Sequence, residues 1–539
     1  MASILIFQKG RRWGLSIWVC AILSVVFILG VFTAPASAKT LVVAMAGDVA
    51  HIDHVEPGSQ KWALCHIYDW QWTRYKTVEL PGGTLTVDTE QIVPGIITHI
   101  DTEAQPDGTA IKRFHVRPNA VHHSGNPIIA EDFKWTILRR AGLGRDFSNR
   151  FLGGLYHIKE GLEDSIKIID DHTFEVKVKK DMPLFGHVWE MRSYFDSKLA
   201  KAHATKKDPW AKAYLAKNDA GAGPYTLEKW DVGNEMVLKK FDRYWGPPPA
   251  IDQLVFRTVP DLSSRVLLLK NGDVDVALNI PLRELQTIKN SPGVKVISAP
   301  STTTLYVGMN PKMPPFDSKD FRLALTYAFP YEDIIPGIFQ GAAQPLNGPI
   351  PTGMKGALKE RRYKTDLALA KEHLKKAGMA SGLKLTLKWQ TGFPQYSQIG
   401  VLFAENLKKI GVDLKLQQLP VGQFQSGMRS RTLDFFIHDG LAWIRKPEFV
   451  ANIYFTGTSS TNPTGYANER VDDLIHKALA EPDTEKRSEL VKAAQEIILE
   501  DVPWIFIAQP DFQLAMRSNI VGYVSQNTEL HHFWLVDKQ

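Results

Sequence analysis

From Thr303 onward, segments with strand character alternate with segments of helical spacing, and this alternation constrains the fold more than any other feature. Leu305-Tyr306-Val307-Gly308-Met309-Asn310 reads as a strand, and Lys319 to Phe329 as a helix. Thr365 is expected to cap a helix that runs to Ala377 and stops at Gly378. Leu383 to Trp389 alternates as a strand, Tyr396 to Ile410 is an amphipathic helix stopped by Gly411, and Val412 to Gln417 is the next strand. Leu433 to Ile437 reads as a buried strand, Val471 to Ala480 and Glu485 to Leu499 as helices, and Trp504 to Ala508 as a strong strand. A pattern of this kind specifies an α/β fold. About 30 residues follow Ala508, and a tail that short is expected to rejoin an earlier lobe rather than form a domain. A middle lobe is therefore expected between Tyr306 and about Ala508. Two strands crossing between two lobes make a hinge, with closure around a ligand as the expected motion.

The chain has 539 residues, enough for two or three domains at roughly 150 residues each. Its N-terminus has the anatomy of a secretory signal peptide: Lys9, Arg11 and Arg12, an uncharged apolar run from Gly14 to Phe32, then Ala36-Ser37-Ala38 before Lys39. Residues 1–38 are expected to be removed, which places the mature protein in the periplasm. The apolar run exceeds the usual ~7–15 residues, so an uncleaved anchor stays open as the alternative. The Arg11-Arg12 pair also leaves the twin-arginine route open. Cleavage removes three basic charges, so the net charge falls from +6 to +3. That excess is too small to argue for nucleic acid, and no basic stripe accompanies it. Cys20 lies in the leader, so Cys65 is the single mature cysteine. An internal disulfide is excluded, and Cys65 reads as a small buried hydrophobe.

Upstream of Thr303, Leu41–Met45, Lys112–Arg117, Thr173–Lys179 and Ile251–Val259 read as strands, and Ala130–Arg140 and Leu262–Lys270 as helices. In GAGPYTLEKWDVGNEMVLKKFDRYWG, Gly221 to Gly246, two strands flank a tight turn at Val232-Gly233-Asn234. This segment resembles the signature of the ABC-transporter extracytoplasmic solute-binding proteins of family 5, the peptide, nickel and oligosaccharide type. The stretch FHVRPNAVHHSGNPIIAEDFKWTILRR, the unit from Leu269 through Gly272 to Ala277, and Pro314-Pro315-Phe316-Asp317 followed by FRLALTYAF are similar to further motifs of that family in the same order. The resemblance implies a two-lobed α/β periplasmic binding protein with an extra subdomain in the first lobe and a ligand cleft between lobes. Lobe I would span 39–305, with a subdomain at about 78–212. Lobe II would span 306–508, and 509–539 would return to lobe I.

The implied function is that of a monomeric receptor of an ABC importer, delivering a small-molecule or peptide ligand to a permease with cytosolic ATPases. A sensory protein presenting its ligand to a membrane receptor is the alternative. No enzyme chemistry, cofactor or metal is expected: G-x-S-x-G, H-E-x-x-H and G-x-G-x-x-G are absent. Gly348 to Gly353 has P-loop spacing, but Met354 stands where a lysine is needed. The pairs His122-His123 and His531-His532, and His51 with His54, are expected in loop or surface roles. In peptide-binding members, the loop after the strand at Asp434 carries an aspartate for the peptide amino terminus. Here Trp443 holds that position and Lys446 a second aspartate position. Trp443 could stack a flat ring, Arg445 hold a carboxylate, and Asp439 act as a replacement acid. Tyr306 at the presumed crossing, Trp389 and Phe393 at a strand end, and Asp48, His51 and Asp53 after the first strand are further ligand-binding candidates.

Overall fold

Two large sheets build the two lobes. The computed structural model describes residues 38–56, 61–69, 72–80, 83–145, 161–179, 182–188, 193–379, 382–525 and 530–539. The expected leader lies outside them, except for Ala38. Among the described residues, no helix is long and apolar enough to cross a membrane.

The first sheet has seven strands in the order β12 (Val294–Ala299), β19 (Phe512–Arg517), β11 (Val276–Ala277), β1 (Thr40–Met45), β10 (Gln253–Thr258), β9 (Glu235–Lys240) and β8 (Tyr225–Asp231). The second has six, in the order β14 (Ala343–Pro345), β18 (Trp504–Pro510), β13 (Thr303–Met309), β17 (Phe435–Leu441), β15 (Leu383–Gln390) and β16 (Val412–Leu419). The chain passes between these sheets at residues 300–302 and again at Asp511. β13 and β18 are buried along almost their whole length, as central strands covered on both faces must be.

A four-stranded sheet, β4 (Ile97–Ala104), β5 (Ala110–Val116), β7 (Thr173–Val178) and β6 (Ile166–Asp170), stands apart from both. β5 alternates buried and half-buried along its full length, so one face meets the core. β2 (Thr73–Glu79) pairs with β3 (Leu85–Pro94), and β3 takes β21 (Val524–Ser525) as a parallel neighbour, tying it to the C-terminal segment. β20 (Ile520–Val521) pairs with β22 (Asp537–Lys538).

The hairpin β8–β9 forms as its sequence predicts, but the glycines before it have a reason that no local pattern carries. A Cβ on Gly221 would lie 2.1 Å from the Ile67 carbonyl oxygen, and one on Gly223 would lie 2.3 Å from that of His66. The segment thus lies backbone to backbone on the end of the helix Lys61–Tyr68, and Gly223 N–H donates to Ile67 O at 2.7 Å. Its end is also built in: Trp245 Nε1 donates to the buried Asp69 carboxylate, 2.8 Å away.

Two local expectations shift. The helix Leu367–Lys376 is capped by Asp366, which accepts from the Ala368 and Leu369 amides, while Thr365 donates to Phe329 O. His122 and His123 lie in a loop, His122 buried and His123 half-buried. His122 Nε2 is 3.0 Å from Asp132, and His123 bridges Asp219 (2.8 Å) and the Gly223 carbonyl (2.9 Å). The partners of His123 lie about a hundred residues away, so sequence neighbours did not announce them, whereas His122 meets an acid ten residues on. Cys65 is buried, as expected, with its Sγ 3.7 Å from the His531 carbonyl oxygen.

Candidate ligand-binding site

β15 runs parallel to both β16 and β17, so these three strands end at one edge of the lobe II sheet. That edge is where open α/β sheets place ligands. β17 continues past Ile437 to Leu441, which puts Asp439 on the strand itself, opposite Leu305 of β13. The helix Pro394–Lys409 begins just after β15, with proline at its first turn. Its first turn carries Tyr396, whose hydroxyl donates to Asp439 Oδ1 at 2.5 Å. Phe393 stacks on Tyr396, the rings 4.8 Å apart and nearly parallel.

Burial, reinforced by the neighbouring Asp439 carboxylate, pushes the Tyr396 phenol well above its ordinary pKa. The phenol therefore stays protonated and remains a donor. Tyr306 and Tyr454 are pushed up in the same way, by burial first and with Asp439 contributing. His438 Nδ1 lies 3.6 Å from Asp439, and burial lowers its pKa. Asp439 keeps 33% of its side chain in solvent. The result is a reachable carboxylate with aromatic neighbours, suited to a cationic group.

Tyr306 itself is fully buried and lies flat on Trp504, centroids 3.4 Å apart. Trp389 is buried at the end of β15, and its indole Nε1 meets no hydrogen-bond partner among the described residues. Trp443 is half-buried in the loop after β17, and Arg445 is buried beside it. Lys446 Nζ donates to Glu90 on β3 at 2.7 Å. The next acid, Glu448, pairs with Arg487 at 3.4 Å; both are buried, and burial raises the Glu448 pKa.

The first-lobe candidates are placed differently. Asp48 accepts from the Gly233 amide at 2.8 Å and from the Thr258 hydroxyl, fastening the β8–β9 turn. Asp53 is fully buried and pairs with the equally buried Arg139, whose guanidinium lies against Phe195. His51 is half-buried in the same loop. Phe393 and Asp439 are thus brought together through Tyr396, whereas Asp48 and Asp53 bond within the first lobe. Tyr396, His438 and Tyr454 were missed from sequence. Only the position of Tyr396 in the helical turn after a strand could have flagged it.

The family model for bacterial extracellular solute-binding proteins, family 5, middle region, matches residues 91–462. The chain belongs to that family. It is a family of solute-binding proteins and not of enzymes. Among family 5 relatives, the probable D,D-dipeptide-binding periplasmic protein DdpA of Escherichia coli K12 is 27% identical over 419 residues, 76% of this chain and 78% of the relative. The glutathione-binding protein GsiB of the same strain is 28% identical over 316 residues, 56% of this chain and 61% of the relative. The periplasmic binding protein DppA of Helicobacter pylori, solved with the peptide STSA, superposes with a TM-score of 0.77 at 24% identity, over 93% of this chain and 98% of that one. The chain therefore has the two-lobed fold of periplasmic binding proteins.

Proposed function

We propose that this family 5 protein is the periplasmic receptor of an ABC importer, which closes over a small solute and hands it to a permease with cytosolic ATPases. One lobe is built on the sheet of β12 and β19, the other on the sheet of β13 and β18, and the two crossings at residues 300–302 and 511 serve as the hinge. The observation that carries the ligand side is the half-exposed Asp439 carboxylate held by Tyr396 at the ends of the parallel strands. It suits the ammonium of a small peptide or peptide-like solute, with Trp443 offering a stacking face and Arg445 a partner for a carboxylate. The names of the relatives favour such ligands: two bind a dipeptide or glutathione, and one was solved with a peptide. A cyclic or anionic solute stacked on Trp443 is the competing ligand class.

Mass spectrometry of solute released from natively purified protein, followed by calorimetric titration of that solute, tests the reading. One small zwitterionic solute rebinding without turnover is expected. Hydrolysis of the solute at enzyme-like rates would overturn the receptor function. A solute lacking any cationic group would remove Asp439 as its anchor while leaving the receptor function standing.

A further inference from the structure

The four-stranded sheet carries a cluster that solute capture does not use. His99 on β4 and His115 on β5 are opposite one another in an antiparallel pair, and a register shift between Ile97 and His99 sets the pairing. Asp101, two residues beyond His99, points to the same face. The imidazoles stack 3.8 Å apart and 7° from parallel. Asp101 Oδ2 lies 2.8 Å from His115 Nε2 and 3.8 Å from His99 Nε2. One ligand atom from each of the three residues lies within 4.8 Å of the others. We propose that His99, Asp101 and His115 form a surface site for a borderline divalent transition ion, of the Zn²⁺ or Ni²⁺ class, separate from the solute cleft.

The donor set, two imidazoles and one carboxylate, is the one such ions prefer over hard oxygen-only sites. The tautomer of His99 is already arranged. Thr98 Oγ1 donates to the His115 carbonyl at 3.1 Å, so toward His99 Nδ1, 3.3 Å away, it can only accept. That leaves the proton of His99 on Nδ1 and the Nε2 lone pair free for an ion. His115 Nε2 donates to Asp101 Oδ2, and an ion taking Nε2 would bind the other tautomer, with that proton moved to Nδ1. His99 and Asp101 are exposed and His115 half-buried, so small side-chain rotations can bring the parallel nitrogens to converge. Water would fill the remaining positions. Arg113, opposite Asp101 in the register, is a cation that opposes ion binding. Its guanidinium is engaged by Glu175 at 2.7 Å and approached by Glu103 at 3.9 Å, which offsets its repulsion.

The test is calorimetric titration of the metal-stripped purified protein with ZnCl₂ and, separately, NiCl₂ in two buffers of different ionisation enthalpy. Binding is expected, weakening as pH falls because protons compete with the ion for the ligand atoms. His99→Ala and His115→Ala should each lower affinity by about tenfold or more, with the solute affinity and the melting temperature unchanged. His476→Ala, which removes an exposed histidine on the helix Glu469–Ala480, should not affect binding. Wild-type affinity in both His99→Ala and His115→Ala, or an equal loss in His476→Ala, would overturn the proposal.

Discussion

Asp439 and Trp443 lie close together in the chain and were read from one stretch, but their surroundings differ. Tyr396 holds one oxygen of Asp439 while a third of the side chain stays in solvent. Asp439→Asn should therefore weaken binding of the co-purified solute by about tenfold or more, the size of one lost charge-assisted hydrogen bond, with little change in the unliganded melting temperature. Trp443→Ala should also weaken it by about tenfold, the scale of a lost stacking face; unchanged affinity by calorimetry would take either residue out of the site. Gly221 tests the scaffold instead. Its missing Cβ would sit on the Ile67 carbonyl oxygen, so Gly221→Ala should cost roughly 1–3 kcal/mol of stability by denaturant titration, as overpacking does. The glycine was legible as part of a motif; the carbonyl it must avoid was not.

At the scale of elements, the loop before the helix Ala130–Gly142 is joined to the signature segment by His123 and Asp219. Asp219 also accepts from the amides of Gly221 and Leu227 and from the Thr226 hydroxyl. Burial alone would lower the His123 pKa, but the Asp219 carboxylate and two hydrogen bonds outweigh it and raise the pKa above its ordinary value. Burial likewise opposes ionisation of Asp219, yet His123 and the amides hold its pKa low. A histidine with a raised folded pKa contributes stability fully below its unfolded value, and loses it as pH rises through the folded value. The stability gap between wild type and His123→Ala should thus be wider near about pH 5.5 than near about pH 9; an equal gap at both, by chemical denaturation, would show that the imidazole is neutral. Asp219 acts in the opposite sense, its contribution being lost as pH falls through its lowered value. Strand and helix positions around these groups were readable because periodicity is local. The extra length of β17 and the Asp366 cap were not, since strand pairing and competing hydroxyl partners settled them.

At the scale of the molecule, Lys446 and Glu90 are 356 residues apart and connect the loop after β17 to β3, which is itself fastened to the C-terminal segment. A continuous cluster of buried apolar side chains likewise runs from Phe114 and Phe174 to Tyr306 and Trp504. Lys446 thus ties the loop after β17 to β3. Lys446→Ala should shift the closed–open balance toward open by about 1 kcal/mol, the scale of an ion pair with one exposed partner. Small-angle scattering should then show a larger radius of gyration without ligand; an unchanged radius would make the pair incidental to closure. His187 lies in the same seam. Burial, then the charges of Lys446 and Arg487, push its pKa down to about 3. Opening would remove those two charges and so raise the value, while burial beside Tyr75 would keep it below the ordinary one. Protonation then favours the open form, so the closed fraction should fall as pH drops, and His187→Gln should flatten that dependence.

The sequence by itself determined the α/β class, most of the elements and the family, because apolar periodicity, caps and ordered motifs are properties of short windows. Only the tertiary structure decided which charges are spent in buried pairs and which stay exposed. Asp53 is consumed by Arg139, Lys446 by Glu90 and His123 by Asp219, whereas Asp439 keeps a face in water. Each pairing joins residues far apart in the chain, and the strength of a charge depends on what burial places beside it, which no window of sequence contains.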